Sequence, residues 1–170
     1  MLRNMCWGCQ EVIKSLLLQQ EVSLAIKVSE LHHQSVRVGG MREEASPIAS
    51  FYHDVLRLGV DVERPSISGI LGYRIDVGGR AQIHLMGVEG ASYYPKGPGM
   101  DPSLPHIAFA VQDLEETRAE SERIDSKHWV AEGIIRLQSQ QVFMHDPSDN
   151  MIELHLAGTC RCQAVTQVGG

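Results

Sequence analysis

Histidine and glutamate recur at related places in two parts of this sequence. The stretch "LHHQSVRV" at residues 31–38 is similar to "LPHIAFAV" at residues 104–111, and each has a histidine near the head of an apolar run. Two later stretches, "AQIHLM" and "MIELHL", carry His84 and Glu153. Imidazoles and carboxylates bind borderline divalent ions such as zinc, nickel, cobalt, manganese and ferrous iron. The recurrence therefore indicates one metal site built by two related halves of the chain.

The alternation of side chains along a strand decides which of these residues share a face. In each of the four stretches, the apolar residues occupy one face, which should pack on a helix. The opposite faces carry the four candidate metal ligands His33, His84, His106 and Glu153. Four protein ligands leave two positions of an octahedral ion for water or substrate, as a Lewis-acid catalyst requires. No lysine or arginine in its own strand neutralises Glu153, so this carboxylate also needs a cation.

The residues around the first pair of strands predict the order βαβββ. Ser46 as N-cap and Pro47 at the first helical position predict the start of a helix, and Gly59 predicts its end. The apolar stripe of this helix comprises Ile48, Phe51, Tyr52, Val55 and Leu58. Three strands follow in "VDVER", "ILGYRIDV" and "AQIHLM", separated by turn residues that include Gly78 and Gly79.

The second half repeats the pattern. Asp113 and Glu116 have the spacing of a capping box at the start of "QDLEETRAESERI", and "HWVAEG", "IRLQSQQVFMH" and "MIELHL" read as strands. A stretch rich in glycine and proline, 87–104, joins the halves as a linker or as a lid over a site. The predicted organisation is an N-terminal extension of helix or strand (1–30), a single domain (31–157) made of modules 31–88 and 104–157, and a C-terminal tail (158–170).

Composition excludes several classes of partner. The chain has 170 residues, of which 43% are hydrophobic, and its net charge of -6 offers no basic field for nucleic acid. Polar residues interrupt every apolar run in the first thirty residues, so we predict neither a signal peptide nor a membrane span and expect a cytoplasmic protein. The four cysteines either lie in frayed tails or bind zinc through four thiolates. The spacing of the C-terminal pair is poor for a zinc site. The four residues are Cys6, Cys9, Cys160 and Cys162.

Residues 31 to 157 resemble the vicinal oxygen chelate superfamily, which includes glyoxalase I, methylmalonyl-CoA epimerase, the fosfomycin and bleomycin resistance proteins and the extradiol dioxygenases. The resemblance rests on "LHHQSVRV", "SPIASFYHDVLRLGV", "AQIHLM", "LPHIAFAVQDLEE" and "FMHDPSDNMIEL". It implies an α+β fold in which two βαβββ modules form an incomplete mixed β-barrel around a divalent metal, with the helices outside. The family's ligand positions fall on the four residues already singled out. His32 and Gln82 are rivals for the first two positions, although alternation points His32 away.

Two residues depart from the family pattern. His84 stands where glyoxalase I has glutamate and the epimerase has glutamine, which weakens both specific assignments and leaves the metal site intact. Asp149 replaces the usual glycine of the turn before "IEL", and aspartate tolerates a left-handed backbone less well than glycine does.

The resemblance implies an enzyme that chelates vicinal oxygens of a small substrate, in the first place a glyoxalase-like lyase or isomerase. Glu153 is then the catalytic base as well as a ligand. Arg37 matches the spacing of an arginine that binds the glutathione carboxylate in glyoxalase I, or it is a salt-bridge partner at the edge of the barrel. An extradiol dioxygenase would use ferrous iron, with His155 or Tyr73 near the oxygen.

Two further alternatives differ in what they need from the chain. A thiol transferase of the resistance type needs a basic pocket, for which the chain offers Arg37 and Arg136. A metal-free binding module usually lacks the full ligand set, which this chain retains. In every case the expected partners are a small molecule and, as the resemblance implies, a second copy in a homodimer, with no nucleic acid and no membrane.

Overall fold

A computed structural model of the chain describes residues 25–39, 42–79, 81–135 and 139–159. Its elements are, in chain order, β1 (Val28–Arg37), α1 (Arg42–Ser50), a π-helical turn (Phe51–Val55), β2 (Gly59–Val60), β3 (Leu71–Val77), β4 (Ala81–Gly87), β5 (His106–Val111), α2 (Leu114–Arg123), β6 (His128–Glu132), β7 (Gln140–His145) and β8 (Met151–Leu156). β1 begins at Val28, three residues before the start of the predicted first module. The four cysteines lie outside the described residues.

One mixed sheet of eight strands contains both modules. Its strand order is β2-β3-β4-β1-β5-β8-β7-β6, so each half of the sheet repeats the order of the other about the centre. β1 runs parallel to β4, β5 runs parallel to β8, and β1 and β5 pair antiparallel where the halves meet. The sheet does not close, since β2 and β6 end it. The predicted α+β fold of two βαβββ modules in an incomplete barrel is therefore confirmed, and the modules pair within one chain.

The helices cover one face of this sheet. Ala49 of α1 packs with Ile75 and Leu85, and Leu114 of α2 packs against a second cluster that contains Val111, Val142 and Leu154. Full burial of one such aliphatic side chain contributes roughly 1.5–3 kcal/mol. Because strand side chains alternate, these two clusters turn the intervening residues of β1, β4, β5 and β8 to the other, concave face.

The first helix differs from its prediction. It begins at Arg42, so Ser46 is not its N-cap, and Pro47 lies inside it. A proline has no N–H to donate to the carbonyl four residues earlier, and a wider π-helical turn follows at Phe51–Val55. That turn changes the angular step between residues. Phe51 and Val55 are therefore exposed, whereas the other members of the predicted stripe pack on the sheet.

The same helix also ends differently from its prediction. Arg57 takes a left-handed backbone conformation, with a φ of 58°, and ends the helical segment, whereas Gly59 opens β2. The predicted "VDVER" strand is shorter than expected, because β2 contains only Gly59 and Val60.

The linker 87–104 is held by one buried carboxylate. Asp101 accepts hydrogen bonds from the backbone N–H and the hydroxyl of both Ser92 and Ser103. Burial raises the pKa of the Asp101 carboxyl, but these hydrogen bonds outweigh it and hold the pKa below its usual range. Arg37 of β1 donates to the carbonyls of Gly90 and Ser103 and lies 3.4 Å from Asp101 Oδ2. The linker is thus fastened to the central strand pair.

None of the helices in the described part of the chain is long and apolar enough to cross a membrane.

The second helix gives a test of local stability. Asp113 is its N-cap, as predicted, and accepts hydrogen bonds from the backbone N–H groups of Glu115 and Glu116 at 2.8 and 2.9 Å. We expect Asp113→Ala to lower the free energy of unfolding by about 1 kcal/mol, because two N–H groups lose their acceptor. Urea denaturation followed by circular dichroism measures this change. Glu122→Ala, an exposed change in the same helix, is the control; an equal loss in both variants would contradict the capping role.

Candidate metal centre

Three side chains converge on the concave face of the sheet. Glu153 Oε2 lies 2.9 Å from His106 Nε2 and 3.3 Å from His33 Nε2, and the two Nε2 atoms are 3.1 Å apart. Each residue offers one atom to a group whose members all lie within 4.8 Å of one another, and all three residues are buried. This His33, His106 and Glu153 group is called the triad below.

Three adjacent strands position the triad. Ala108 of β5 is the Cα partner of His33 in β1 on one side and of Glu153 in β8 on the other. His106 lies two residues before Ala108 and so on the same face. Ala108 is fully buried, and its methyl group leaves room above the middle strand for the three longer side chains to meet.

Hydrogen bonds orient the histidines of the triad. His106 Nδ1 lies 2.7 Å from the carbonyl oxygen of Leu104, which only accepts, so Nδ1 carries a hydrogen and Nε2 faces Glu153. His33 Nδ1 lies 2.8 Å from His32 Nδ1, which leaves His33 Nε2 facing Glu153. The contact of His106 Nδ1 with a backbone carbonyl is the arrangement found behind histidines that bind metals.

His84 adjoins the triad without completing it. Its ring stacks on that of His33 with centroids 3.7 Å apart, and its Nε2 lies 3.2 Å from Gln82 Oε1. The Gln82 amide nitrogen donates to Asp61 and Asp76, so its oxygen faces His84, and His84 Nε2 carries the donated hydrogen. His84 and its rival Gln82 therefore both lie on the concave face, bonded to each other. The role of His84 as a fourth ligand stays a prediction.

The prediction that His32 points away from the site is wrong. His32 is buried beside His33 and stacks on His155 with ring centroids 4.3 Å apart. The pairing of β1 with β5 shifts register between Leu31 and His33, so a β-bulge places an extra residue in β1. A bulge interrupts alternation, and two consecutive histidines consequently face inward. The His32 Nε2 atom has no hydrogen-bond partner among the described residues.

The three predicted substrate-binding residues lie in different places. His155 joins the histidines of the site, and its Nε2 is 3.9 Å from Glu153 Oε1 while its Nδ1 is 2.6 Å from the Thr159 hydroxyl. Arg37 forms the salt bridge at the barrel edge, with Asp101 of the linker. Tyr73 packs in the cluster under α1 on the opposite face of β3, because alternation turns odd-numbered residues of that strand to the helix side. The structure does not bring Tyr73 to the triad.

Sequence reasoning missed one charged residue of the site. Arg74 of β3 is buried and is the Cα partner of His84 across the β3–β4 pair. Alternation along β3 was the sequence signal for this residue. Arg74 lies between Tyr73 and Ile75, which face the helix, so its side chain must lie on the concave face.

Burial and charge set the protonation of the site. Burial lowers the pKa of His33 to about 4, against the opposing effect of Glu153. Burial, then the neighbouring His33 and Arg74, hold the pKa of His84 well below its usual range. Burial alone would raise the pKa of Glu153, but His33 and His106 outweigh it and hold that pKa well below its usual range. At neutral pH His33 and His84 are therefore neutral and Glu153 is ionised.

A cleft of about 1190 Å³ borders the site. Its lining includes Arg74 and the three histidines His32, His84 and His155. Each of these histidines touches a member of the triad, through a ring contact or an atom pair already given. A small molecule in the cleft therefore lies one side chain away from the triad.

Comparison with known proteins agrees with this architecture. Residues 31–154 match the family model described as the Glyoxalase/Bleomycin resistance protein/Dioxygenase superfamily. No curated protein matches the sequence significantly.

Solved structures show the same fold at low sequence identity. Methylmalonyl-CoA epimerase from Mycobacterium tuberculosis is 22% identical with a TM-score of 0.56, over 82% of this chain and 94% of the epimerase. The 2,3-dioxygenase LapB from Pseudomonas sp. KL28 is 21% identical with a TM-score of 0.54, over 85% of this chain and 46% of the dioxygenase. Methylmalonyl-CoA epimerase from Streptomyces coelicolor is 15% identical with a TM-score of 0.52, over 78% of this chain and 97% of that enzyme. With its family model spanning both modules, the chain belongs to the Glyoxalase/Bleomycin resistance protein/Dioxygenase superfamily, that is, the vicinal oxygen chelate superfamily.

Proposed function

We propose that this chain is a metal-dependent enzyme that chelates two vicinal oxygens of a small substrate and moves a proton on it, as a glyoxalase-like lyase or isomerase. The observation that carries the proposal is the meeting of His33, His106 and Glu153 on three adjacent strands, buried and within bonding reach of a common centre. Zinc, nickel, cobalt, manganese and ferrous iron all accept this ligand set.

The donor atoms fit a divalent ion. A metal binds neutral imidazole and ionised carboxylate, and the low pKa values of His33 and Glu153 provide those forms at neutral pH. Among the described residues Glu153 contacts only imidazoles and no lysine or arginine, and a cation would stabilise a buried carboxylate in that environment. When bound, such an ion supplies Lewis-acid stabilisation of the negative charge that develops on the substrate oxygens.

Glu153 is the proposed catalytic base. It is ionised, it is the only carboxylate of the triad, and Oε1 remains on the side of His155, away from the two contacts made by Oε2. Glu153 accepts a carbon-bound proton from the substrate and returns it to the neighbouring carbon. His155, held by Thr159 at Nδ1, lies where its Nε2 can orient the substrate or hold a proton beside Glu153.

A second candidate is an extradiol-type dioxygenase. The observation that favours it is the ligand count, because His84 Nε2 is bonded to Gln82 and two histidines with one carboxylate are the ligand set of non-haem ferrous oxygenases. His155 is then the histidine proposed to lie near the oxygen. A resistance-type transferase or binding protein is the remaining alternative, and the linker already engages Arg37, one of the two arginines proposed for a basic pocket.

Cytoplasmic location and a homodimer remain part of this proposal. The first rests on the composition of the sequence and the second on the family resemblance.

The metal site is tested by elemental analysis of the purified protein. We expect near-stoichiometric divalent metal in the wild type and its loss in His106→Ala and Glu153→Ala, because each change removes one of three buried ligands. His53→Ala, which alters an exposed histidine of the π-helical turn, should retain the metal. Metal content unchanged in both ligand variants would refute the assignment.

The protonation of the site predicts how stability depends on pH in the metal-free protein. Between pH 6.5 and about 4, the unfolded chain binds protons that the folded His33 and His84 exclude, so stability must fall as the pH falls. We expect a loss on the order of 3 kcal/mol from His33 alone, and a further loss below pH 4.5 from Glu153. Urea denaturation with a chelator measures it. His33→Gln should flatten the dependence and His53→Gln should not; a flat wild-type profile would contradict the buried neutral state.

The two reactions differ in their need for oxygen. A lyase or isomerase should convert a hemithioacetal under anaerobic conditions with zinc, nickel or cobalt, and Glu153→Gln should lower kcat by about 100-fold or more. His53→Gln should leave kcat unchanged. Catechol cleavage that requires both ferrous iron and oxygen would instead support the second candidate, and neither activity in the metal-loaded protein would favour the binding-protein alternative.

A further inference from the structure

Arg74 is a buried cation without a described partner. It is 8% exposed, yet its guanidinium has no hydrogen bond or ion pair among the described residues. Tyr73 and Ile75 on either side of it pack under α1, so the Arg74 side chain is on the concave face. It lines the cleft together with His84, its partner across the strands. A guanidinium that opens on a cleft and has no carboxylate partner among the described residues is a position at which an anion can bind.

Four carboxylates line the cleft with Arg74, and three of them make the following contacts with other groups. Asp61 accepts from Gln82 Nε2 and from the backbone N–H of Glu63. Asp113 caps α2, and Glu115 pairs with Arg118 at 3.0 Å. These groups therefore ring the cleft with negative charge while Arg74 and the histidines form its inner part. A dianionic phosphate would meet more repulsion at this rim than a singly charged carboxylate, which also matches the planar fork of one guanidinium.

We propose that Arg74 binds a carboxylate of the substrate, so that the enzyme acts on small organic acids that carry vicinal oxygens beside a carboxylate. The path from Arg74 to the triad runs through His84, which stacks on His33. A substrate held by its carboxylate at Arg74 must therefore extend past His84 to bring its vicinal oxygens to the triad. The inference rests on the proposed function for the vicinal oxygens, and on Arg74 alone for the acid group.

The first test compares two catechols that differ in one group. Zinc-loaded wild type should bind 3,4-dihydroxybenzoate about tenfold or more tightly than 4-methylcatechol, as measured by calorimetry, because only the former offers a carboxylate to Arg74. Zinc is redox-inert, so neither probe turns over. Arg74→Gln should lose this preference and keep the affinity for 4-methylcatechol. Arg57→Gln removes an exposed arginine of the neighbouring loop and should behave as the wild type.

The second test does not depend on a metal. In metal-free protein, benzoate should shift the Nε–H resonance of Arg74, assigned as the signal missing from Arg74→Lys. Far-ultraviolet circular dichroism and the Tm of both Arg74 variants establish that they fold. If 4-methylcatechol fails to bind the zinc-loaded protein while benzoate still shifts Arg74, the proposed function fails and the carboxylate subsite stands. Equal affinity of the wild type for both catechols, no benzoate shift at Arg74, or loss of both catechols in folded Arg74→Gln would overturn the subsite.

Discussion

The Glu153 carboxylate lies out of water between two imidazoles, and the rest of the site is arranged around that fact. An isolated carboxylate at this depth would be strongly disfavoured in its ionised form. His33 and His106 approach it within 3.3 Å and reverse the effect of burial on its pKa. Among the described residues Glu153 contacts no lysine or arginine, so its negative charge remains available to attract a divalent cation. Metal binding and the folding of the concave face are therefore coupled.

The duplicated architecture supplies the three side chains from both halves of the chain. His33 comes from the first module, whereas His106 and Glu153 come from the second, and the β1–β5 pair is the only strand pairing that joins the modules among the described residues. The small Ala108 at this seam is as important as the ligands, because a larger side chain there would fill the space in which they meet. The linker also contacts this strand pair. The Ser103 carbonyl accepts a hydrogen bond from Arg37, and the Leu104 carbonyl accepts one from His106.

Much of this arrangement was predictable because it depends on periods in the sequence. Alternation alone placed His84, His106 and Glu153 on the concave face, and the capping pattern located the start of α2 at Asp113. The features that escaped prediction depend on local irregularity or on distance. The bulge that turns His32 inward and the π-helical turn after Pro47 both break a period. The bond between His84 and Gln82 depends on which of several nearby polar groups lie within reach, which spacing does not specify.

The bulge in β1 also limits how this strand can change in evolution. Substitution of His32 preserves the number of residues between Leu31 and His33, and so preserves the pairing on both sides of the irregularity. Deletion of one residue there restores regular alternation. Every side chain of β1 upstream of the deletion then moves to the opposite face of the sheet. Related sequences should therefore tolerate substitutions at this point far more readily than insertions or deletions. An alignment with a gap inside β1 would indicate a protein in which different side chains of β1 line the concave face.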